Sequence, residues 1–247
     1  MKTFFTDLKN IKENDEIFLD EIEHNHLSRV LRCAIGESVE LYNNTDNYYI
    51  CNIESITKKQ TKVKVTKVVS AETNPKSDVT VFTAMLKGEK FEFLITKFTE
   101  LGVQKLIPFQ SEFSIGKQLS NKKDRFLQIA KDACKQCKRT KLIDVGESLT
   151  FKQMLDSLKF YDIVLFAYEK MDNYNLNKTL DKIKSNQKIA LIIGSEGGFS
   201  ESEADSIIKT GAKCVSLGSR ILRAETANIM LASVVLNKLG EFDVKNC

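Results

Sequence analysis

This sequence predicts two domains, a small β-barrel with one helix inserted and then a larger α/β domain on a largely parallel sheet. Three observations carry that reading. Before residue 70 the apolar positions fall in short runs, the clearest with a period of two, as strands with one wet face require. After Pro75 the pattern changes to strand, helix, strand, the alternation that builds parallel sheets with helices on both faces. The run 188–193 then leads straight into a glycine-rich turn, Gly194-Ser-Glu-Gly-Gly-Phe-Ser200, and on to a helix start.

In the first part the β-like runs are 16–19, 38–42, 48–53 and 61–69. In Thr61-Lys-Val-Lys-Val-Thr-Lys-Val-Val69 apolar and basic residues alternate. Between the first two runs lies His24-Asn-His-Leu-Ser-Arg-Val-Leu-Arg32, a short helical segment that ends near Gly36. Thr73-Asn-Pro75-Lys-Ser breaks both periodicities, which places the domains at 1–72 and 76–247.

The second part opens with a buried strand at 79–86. A helix over 89–101 follows, with Phe91, Leu94, Ile95, Phe98 and Leu101 on one face and Gly102 placed to end it. Next come a strand at 103–109, helices at 123–138 and 151–159, a strand at 162–168 and a weaker helix around 179–184. Ile189 to Ile193 are all apolar, too few for an ordinary helix and suited to a strand buried on both faces. Ser200 with Glu203 makes a capping box, so a helix starts there. A strand over 213–217 leads to a second loop and a last helix, 225–239, apolar almost all round. Such a helix needs cover on more than one side, and a homodimer interface is one way to supply it.

With 247 residues and 42% apolar content the chain has material for real cores. No apolar run approaches the roughly 18 residues of a membrane span. Met1-Lys-Thr-Phe-Phe-Thr-Asp7 has no signal-peptide core, so a cytoplasmic protein without a membrane partner is expected. Its six cysteines are expected to be reduced. The net charge of +4 is unevenly placed: 10 cations against 12 acids over 1–75, 14 against 8 over 76–145, and 13 against 13 over 146–247. The basic cluster at 117–141 is the footprint expected of phosphate-backbone contact, or else a solvated lysine face.

The glycine turn lacks the Gly-Lys-Ser/Thr end of a P-loop and the spacing of a dinucleotide fingerprint. It carries Glu196 at its centre, and no Lys or Arg follows until Lys209, so a phosphate brought there meets a like charge. An adenosine cofactor without phosphates, or with positive charge, suits it better. A structural turn that needed glycines for its backbone is the alternative. The second loop, Leu217-Gly-Ser-Arg-Ile-Leu-Arg-Ala-Glu-Thr226, brings Arg220, Arg223 and Glu225 to the carboxyl edge of the sheet. Arg223 is a candidate to orient a phosphate or nucleobase, and Glu225 to hold it or accept a proton, against plain surface ion pairing. Cys134-Lys-Gln-Cys137 lies on the apolar stripe of its helix and no second pair completes a zinc site, so core packing is expected. With His24 and His26 the only histidines, neither a metal site nor a histidine triad is expected.

Gly194-Ser-Glu-Gly-Gly-Phe-Ser-Glu-Ser-Glu203 and Leu217-Gly-Ser-Arg-Ile-Leu-Arg-Ala-Glu-Thr-Ala227 are also two signatures in a set. With His26-Leu-Ser-Arg-Val-Leu-Arg32, Thr99-Glu-Leu-Gly-Val103, Gln136 and Arg139 they resemble the 16S ribosomal RNA (uracil-1498-N3) methyltransferases of the SPOUT superfamily, over nearly the whole chain. The resemblance implies a PUA-like N-terminal β-barrel for RNA and a C-terminal SPOUT α/β domain with a trefoil knot, which binds S-adenosylmethionine and forms a homodimer. It implies methylation of uridine N3 in 16S ribosomal RNA of the small ribosomal subunit. A non-catalytic ribosome-associated RNA-binding protein on the same fold is the alternative. Carried over position by position, the cofactor pocket is Leu165, Phe166, Ala167, Tyr168 and Glu169, then Ile193, Gly194, Ser195, Glu196, Gly197 and Gly198, then Leu217, Gly218, Arg220, Ile221, Leu222 and Thr226. Arg223 and Glu225 are the implied catalytic residues, Arg29, Arg32, Lys87, Lys135 and Arg139 the RNA contacts, and no metal is implied. The chain departs from the family pattern at Ser195 for proline, Ala224 for threonine, Cys137 for serine and Phe113 for arginine. The last removes the charge with which that position would meet RNA.

Overall fold

The structure is a computed structural model that describes residues 1–87, 89–114, 122–168 and 176–243. It divides into two compact units, one of Met1–Asn74 with Cys134–Leu142, the other of Pro75–Ala133 with Ile143–Cys247.

In the first unit, strands β1 (Lys2–Phe5), β2 (Glu16–Phe18), β3 (Ser38–Tyr42), β4 (Asn47–Ile56) and β5 (Thr61–Ser70) form a five-stranded sheet in the order β1-β3-β4-β5-β2. The alternation read from the sequence sets the faces of β5: Thr61, Val63 and Val65 are fully buried, while Lys62 and Lys64 are half-buried. Strand β1 was not predicted. It lacks a period, and its order comes from parallel pairing with β3, a partner distant in sequence. Asp20 caps helix α1 (Glu21–Asn25) by accepting from the Glu23 N–H, and the helix runs on into a π-helical turn, His26–Val30. Within this unit Cys134 packs against Phe5 and Tyr42, so it is a core residue as expected. Burial pushes its thiol up to about 12, which leaves it protonated and unreactive at neutral pH.

The second unit holds β6 (Asp78–Ala84), β7 (Lys105–Gln110), β8 (Asp144–Val145), β9 (Leu149–Thr150), β10 (Ile163–Ala167), β11 (Lys188–Ile193) and β12 (Lys213–Val215). Every pairing is parallel, in the order β12-β10-β11-β6-β7-β8 with β9 also on β7. The helices are α2 (Lys90–Leu101), α3 (Lys123–Cys137), α4 (Phe151–Ser157), α5 (Leu176–Leu180), α6 (Glu201–Lys209) and α7 (Ala224–Lys238); α3 belongs to this unit as far as Ala133. Strands β8 and β9, two residues each, are too short to show a period and were missed. The weak helix expected around 179–184 lies earlier, at α5, and Leu180 and Ile183 are buried from the helix and the turn after it.

Strand β11 has the predicted burial on both faces, with no residue from Ile189 to Ile193 more than 3% exposed. On one face Ala190 and Ile192 join Phe82, Phe166, Met154 of α4 and Ile207 of α6 in a single cluster. Helix α7 lies against β11, β6 and α2. This explains its uniform apolarity: Leu231, Ala232, Val235 and Leu236 are fully buried. Its buried Asn228 donates to Thr83 Oγ1 at 3.2 Å and to the Ala224 carbonyl at 2.9 Å. Among the described residues no helix is long and apolar enough to cross a membrane.

The capping box at α6 forms in both directions. The Glu203 N–H donates to Ser200 Oγ at 3.3 Å, and the Ser200 N–H donates to Glu203 Oε2 at 3.2 Å. Ser200→Ala is expected to lower the unfolding free energy by about 1 kcal/mol. Urea titration measures this, and an unchanged midpoint would mean that the box contributes nothing here.

Candidate functional site

Strands β12, β10 and β11 are neighbours and parallel, so their carboxyl ends reach the same edge of the sheet. The segments leaving them line one cavity of about 460 Å³, at the position where open α/β sheets hold ligands. Ala167 and Tyr168 come from the end of β10, and Ile193, Gly194, Ser195, Glu196 and Gly198 from the end of β11. Leu217, Gly218, Arg220, Ile221 and Leu222 come from the segment after β12, with Arg223 at the start of α7.

Other candidates lie elsewhere. Leu165 and Phe166 are fully buried inside β10 and do not line the cavity. Thr226 and the catalytic candidate Glu225 line a separate groove of about 570 Å³ with Phe93, Ile229 and Met230, and Gly197 is not among the residues that line the cavity. Glu169 lies outside the described residues. Five lining residues escaped the sequence reading: Lys90, Phe199, Ser216, Ala224 and Ala227. Four of them adjoin the two loops and could have been included by extending these. Lys90 had no sequence signal.

The glycines of the first loop answer to close packing. The Gly198 N–H donates to the Ser195 carbonyl at 3.0 Å, with Gly198 at φ +70°. Phe199, which follows, is 4% exposed and meets Phe166 edge-on at 5.0 Å and Phe109 stacked at 6.2 Å. A Cβ on Gly194 would fall 2.9 Å from the Phe199 ring. On Gly197 it would fall 2.8 Å from Phe113 Cβ. The segment carrying Phe113 is tied in place, since Ser195 Oγ donates to the Phe113 carbonyl at 3.1 Å and the Glu112 N–H donates to Glu203 at 2.8 Å.

The charge of the loop needs a correction. By sequence Glu196 had no cation near it. The fold brings Lys90, 106 positions away, to 2.7 Å from Glu196 Oε1 and to 3.1 Å from Glu225 Oε2. Burial pushes the Glu196 carboxyl up. The hydrogen bond and charge of Lys90, with backbone groups of Glu196 and Lys87, outweigh this and hold it below the usual carboxylate range. Two acids and one cation leave this ion-paired cluster with a single negative charge, so the argument against a phosphate holds in a weaker form. Arg220 and Arg223 are exposed on the second loop, and Ile221 between them is 96% exposed.

The candidate RNA contacts divide by exposure. Arg29 and Arg32 stand exposed around the π-helical turn of the first unit, and Lys87 is exposed just before α2 in the second. Lys135 is 12% exposed with its ammonium 2.7 Å from Glu23, and Arg139 is buried at 3%. Much of the basic cluster is engaged by acids within its own unit. Lys122 and Arg125 pair with Glu92, Lys123 with Glu147, Lys138 with Glu40 and Lys141 with Asp46. The charge count that suggested a phosphate footprint therefore overstates the positive charge left over for a ligand. Among the described residues no group of three or more His, Cys, Asp or Glu is placed to hold a metal ion.

Comparison with known proteins adds a second line of observation. A family model described as an RNA methyltransferase domain matches residues 72–236, and one described as the RNA methyltransferase PUA domain matches 19–66. Ribosomal RNA small subunit methyltransferase E of Mesomycoplasma hyopneumoniae is 30% identical over 227 residues, covering 90% of this chain and 94% of that one. The protein of the same name from Bacillus subtilis is 26% identical over 245 residues, 95% of this chain and 96% of that one. A methyltransferase from Legionella pneumophila, solved in complex with the bound cofactor SAM, superposes with a TM-score of 0.86 at 27% identity, over 95% of this chain and 96% of that one.

Proposed function

This chain belongs to the RNA methyltransferase family, and from that premise we propose that it transfers the methyl of S-adenosylmethionine to N3 of a uridine in 16S ribosomal RNA. It is a methyltransferase of small-subunit ribosomal RNA, and S-adenosylmethionine is its methyl donor. The observation that carries the residue-level reading is the cavity at the ends of β10, β11 and β12. Its residues fit the donor. Ile193, Leu217 and Leu222 beside a tight backbone turn suit an adenosine, and the acid Glu196, with Glu225 behind it on the shared Lys90, suits a positive charge better than a phosphate.

When bound, the cofactor supplies a methyl group on a sulfonium, activated for displacement. Displacement at methyl needs no covalent help from the protein, so the chain's own share is alignment. Arg223, exposed at the N-cap of α7, is assigned to steady the uracil oxygen that gains charge as N3 loses its proton, or the adjacent phosphate. Glu225, in the first turn of α7 and 18% exposed, is assigned to take up that proton. Arg29, Arg32 and Lys87 are assigned to phosphate contact. Lys135 and Arg139 act from inside the first unit, supporting its surface.

The first unit's sheet is read as a PUA-like barrel for RNA, and the second unit as a SPOUT domain closed by a trefoil knot, with the chain boundary at 1–72 and 76–247. A second copy of the chain, covering Phe93, Ile229 and Met230, makes the homodimer. A ribosomal substrate supports reading the enzyme as cytoplasmic.

Labelled S-adenosylmethionine and small subunits lacking the modification test the reading together. The expected product is 3-methyluridine at one position by mass spectrometry. Methylation at another atom would overturn the N3 assignment, and binding without transfer would make the chain a non-catalytic RNA-binding protein. Arg223→Ala is expected to slow transfer by about 100-fold or more with little change in donor affinity. Transfer at the wild-type rate would remove Arg223 from the mechanism.

A further inference from the structure

A charged wall on one side of the cavity draws on three separate elements: Lys90 and Glu196 line the cavity, and Glu225 pairs with Lys90 from the adjoining groove. Lys90 stands in the first turn of α2, Glu196 in the glycine loop and Glu225 in the first turn of α7. The side chains are 32%, 30% and 18% exposed, so water screens them less than it screens open surface charges. Among the described residues Lys90 is the cation within ion-pair distance of both acids. Arg220 and Arg223 also line the cavity, but from the other loop and at exposed positions, where solvent weakens their reach.

The donor assigned to this cavity changes charge during the reaction. In the transfer the methyl–sulfur bond breaks and a methyl–N3 bond forms. The sulfur recovers an electron pair, and the N3 proton passes to Glu225 and from there to solvent. The donor therefore enters with one positive charge more than the S-adenosylhomocysteine that must leave. Any fixed charge on the wall acts on that difference. A net negative charge favours donor over product, two negative charges favour it further, and a neutral wall does not distinguish them by charge.

We propose that Lys90 sets the preference of this cavity for the sulfonium donor over the thioether product, by holding the Glu196–Glu225 wall at one negative charge. This rests on the reading of the cavity as the S-adenosylmethionine site. Lys90 is a positioning residue in this account: from its place in the cavity lining it sets the charge left on the two carboxylates it holds. Its flexible stem allows the ammonium to yield some of its contact with one acid as a positively charged ligand arrives. The methyl, present on the donor and absent from the product, contributes the same factor to their affinity ratio in every variant, so a change in the ratio reports charge.

Calorimetric Kd values for S-adenosylmethionine and S-adenosylhomocysteine, measured on the full chain at low and physiological salt, test this. In Lys90→Gln the preference for donor over product is expected to rise about three- to tenfold over wild type. Glu196→Gln is expected to lower it by a similar factor. The double variant restores one negative charge and should return to within about twofold of wild type, Lys90→Arg should stay there, and all shifts should shrink as salt rises. A ratio unchanged in both single variants overturns the proposal even if both affinities fall, because a loop that has lost its support weakens donor and product together. A wild-type protein that binds neither ligand overturns the assignment of the cavity itself.

Discussion

Gly197→Val is expected to abolish measurable binding of S-adenosylmethionine while the protein stays folded. A Cβ at this position falls 2.8 Å from Phe113 Cβ and 3.4 Å from the Phe113 carbonyl oxygen. The clash is with the root of the Phe113 side chain, which rotation about χ1 cannot move. Relief therefore requires the backbone at 112–114 to shift, against the 2.8 Å bond from the Glu112 N–H to Glu203 and the 3.1 Å bond from Ser195 to the Phe113 carbonyl. Otherwise the glycine loop itself must move, and Glu196 and Gly198 on either side of the substitution line the cavity. Overpacking of this kind costs about 1–3 kcal/mol for the first added carbons, and valine adds two further methyls, so a loss of about 100-fold or more is expected. Calorimetry measures the affinity and thermal unfolding checks the fold. Unaltered affinity would place the loop outside the cofactor site.

Glu23→Ala is expected to destabilise the first unit by about 3–5 kcal/mol. Glu23, 2% exposed, accepts from the Phe5 N–H at 3.1 Å and from Lys135 Nζ at 2.7 Å. Truncation takes this acceptor from both donors and removes the carboxylate 2.7 Å from an ammonium that is only 12% exposed. Removing both charges together, as in Glu23→Leu with Lys135→Met, should recover much of the loss, since a buried pair costs nearly as much to desolvate as it returns. Amide hydrogen exchange across β1 and chemical denaturation are the measurements. A loss below about 1 kcal/mol would mean that water reaches Lys135 and replaces the carboxylate.

The parts of the molecule legible in the sequence are those governed by near neighbours. Ile189 to Ile193 read as a doubly buried strand because five apolar residues between polar flanks have few alternatives. Ser200 and Glu203 read as a helix start because a capping box closes over three residues. Gly102 ends α2 at φ +94°, as its place after the apolar stripe suggested. The two loops that line the cavity could be placed at one edge because each directly follows a strand whose carboxyl end had to lie there.

What stayed hidden depended on distant partners. Strand β1 has no period of its own and is ordered by β3. The basic stretch read as free positive charge because a running count treats every lysine as solvent-exposed. Glu92, Glu147, Glu40 and Asp46 engage its members from elsewhere in the chain, and Glu23 takes Lys135 inside.

The glycine loop combines both kinds of information. Its strand, turn and cap were set by the sequence alone, since periodicity, backbone preference and capping act over a few residues. Its charge was decided only by the tertiary structure, which carried Lys90 across 106 positions to Glu196, because an ion pair depends on distance in space and on the water excluded around it.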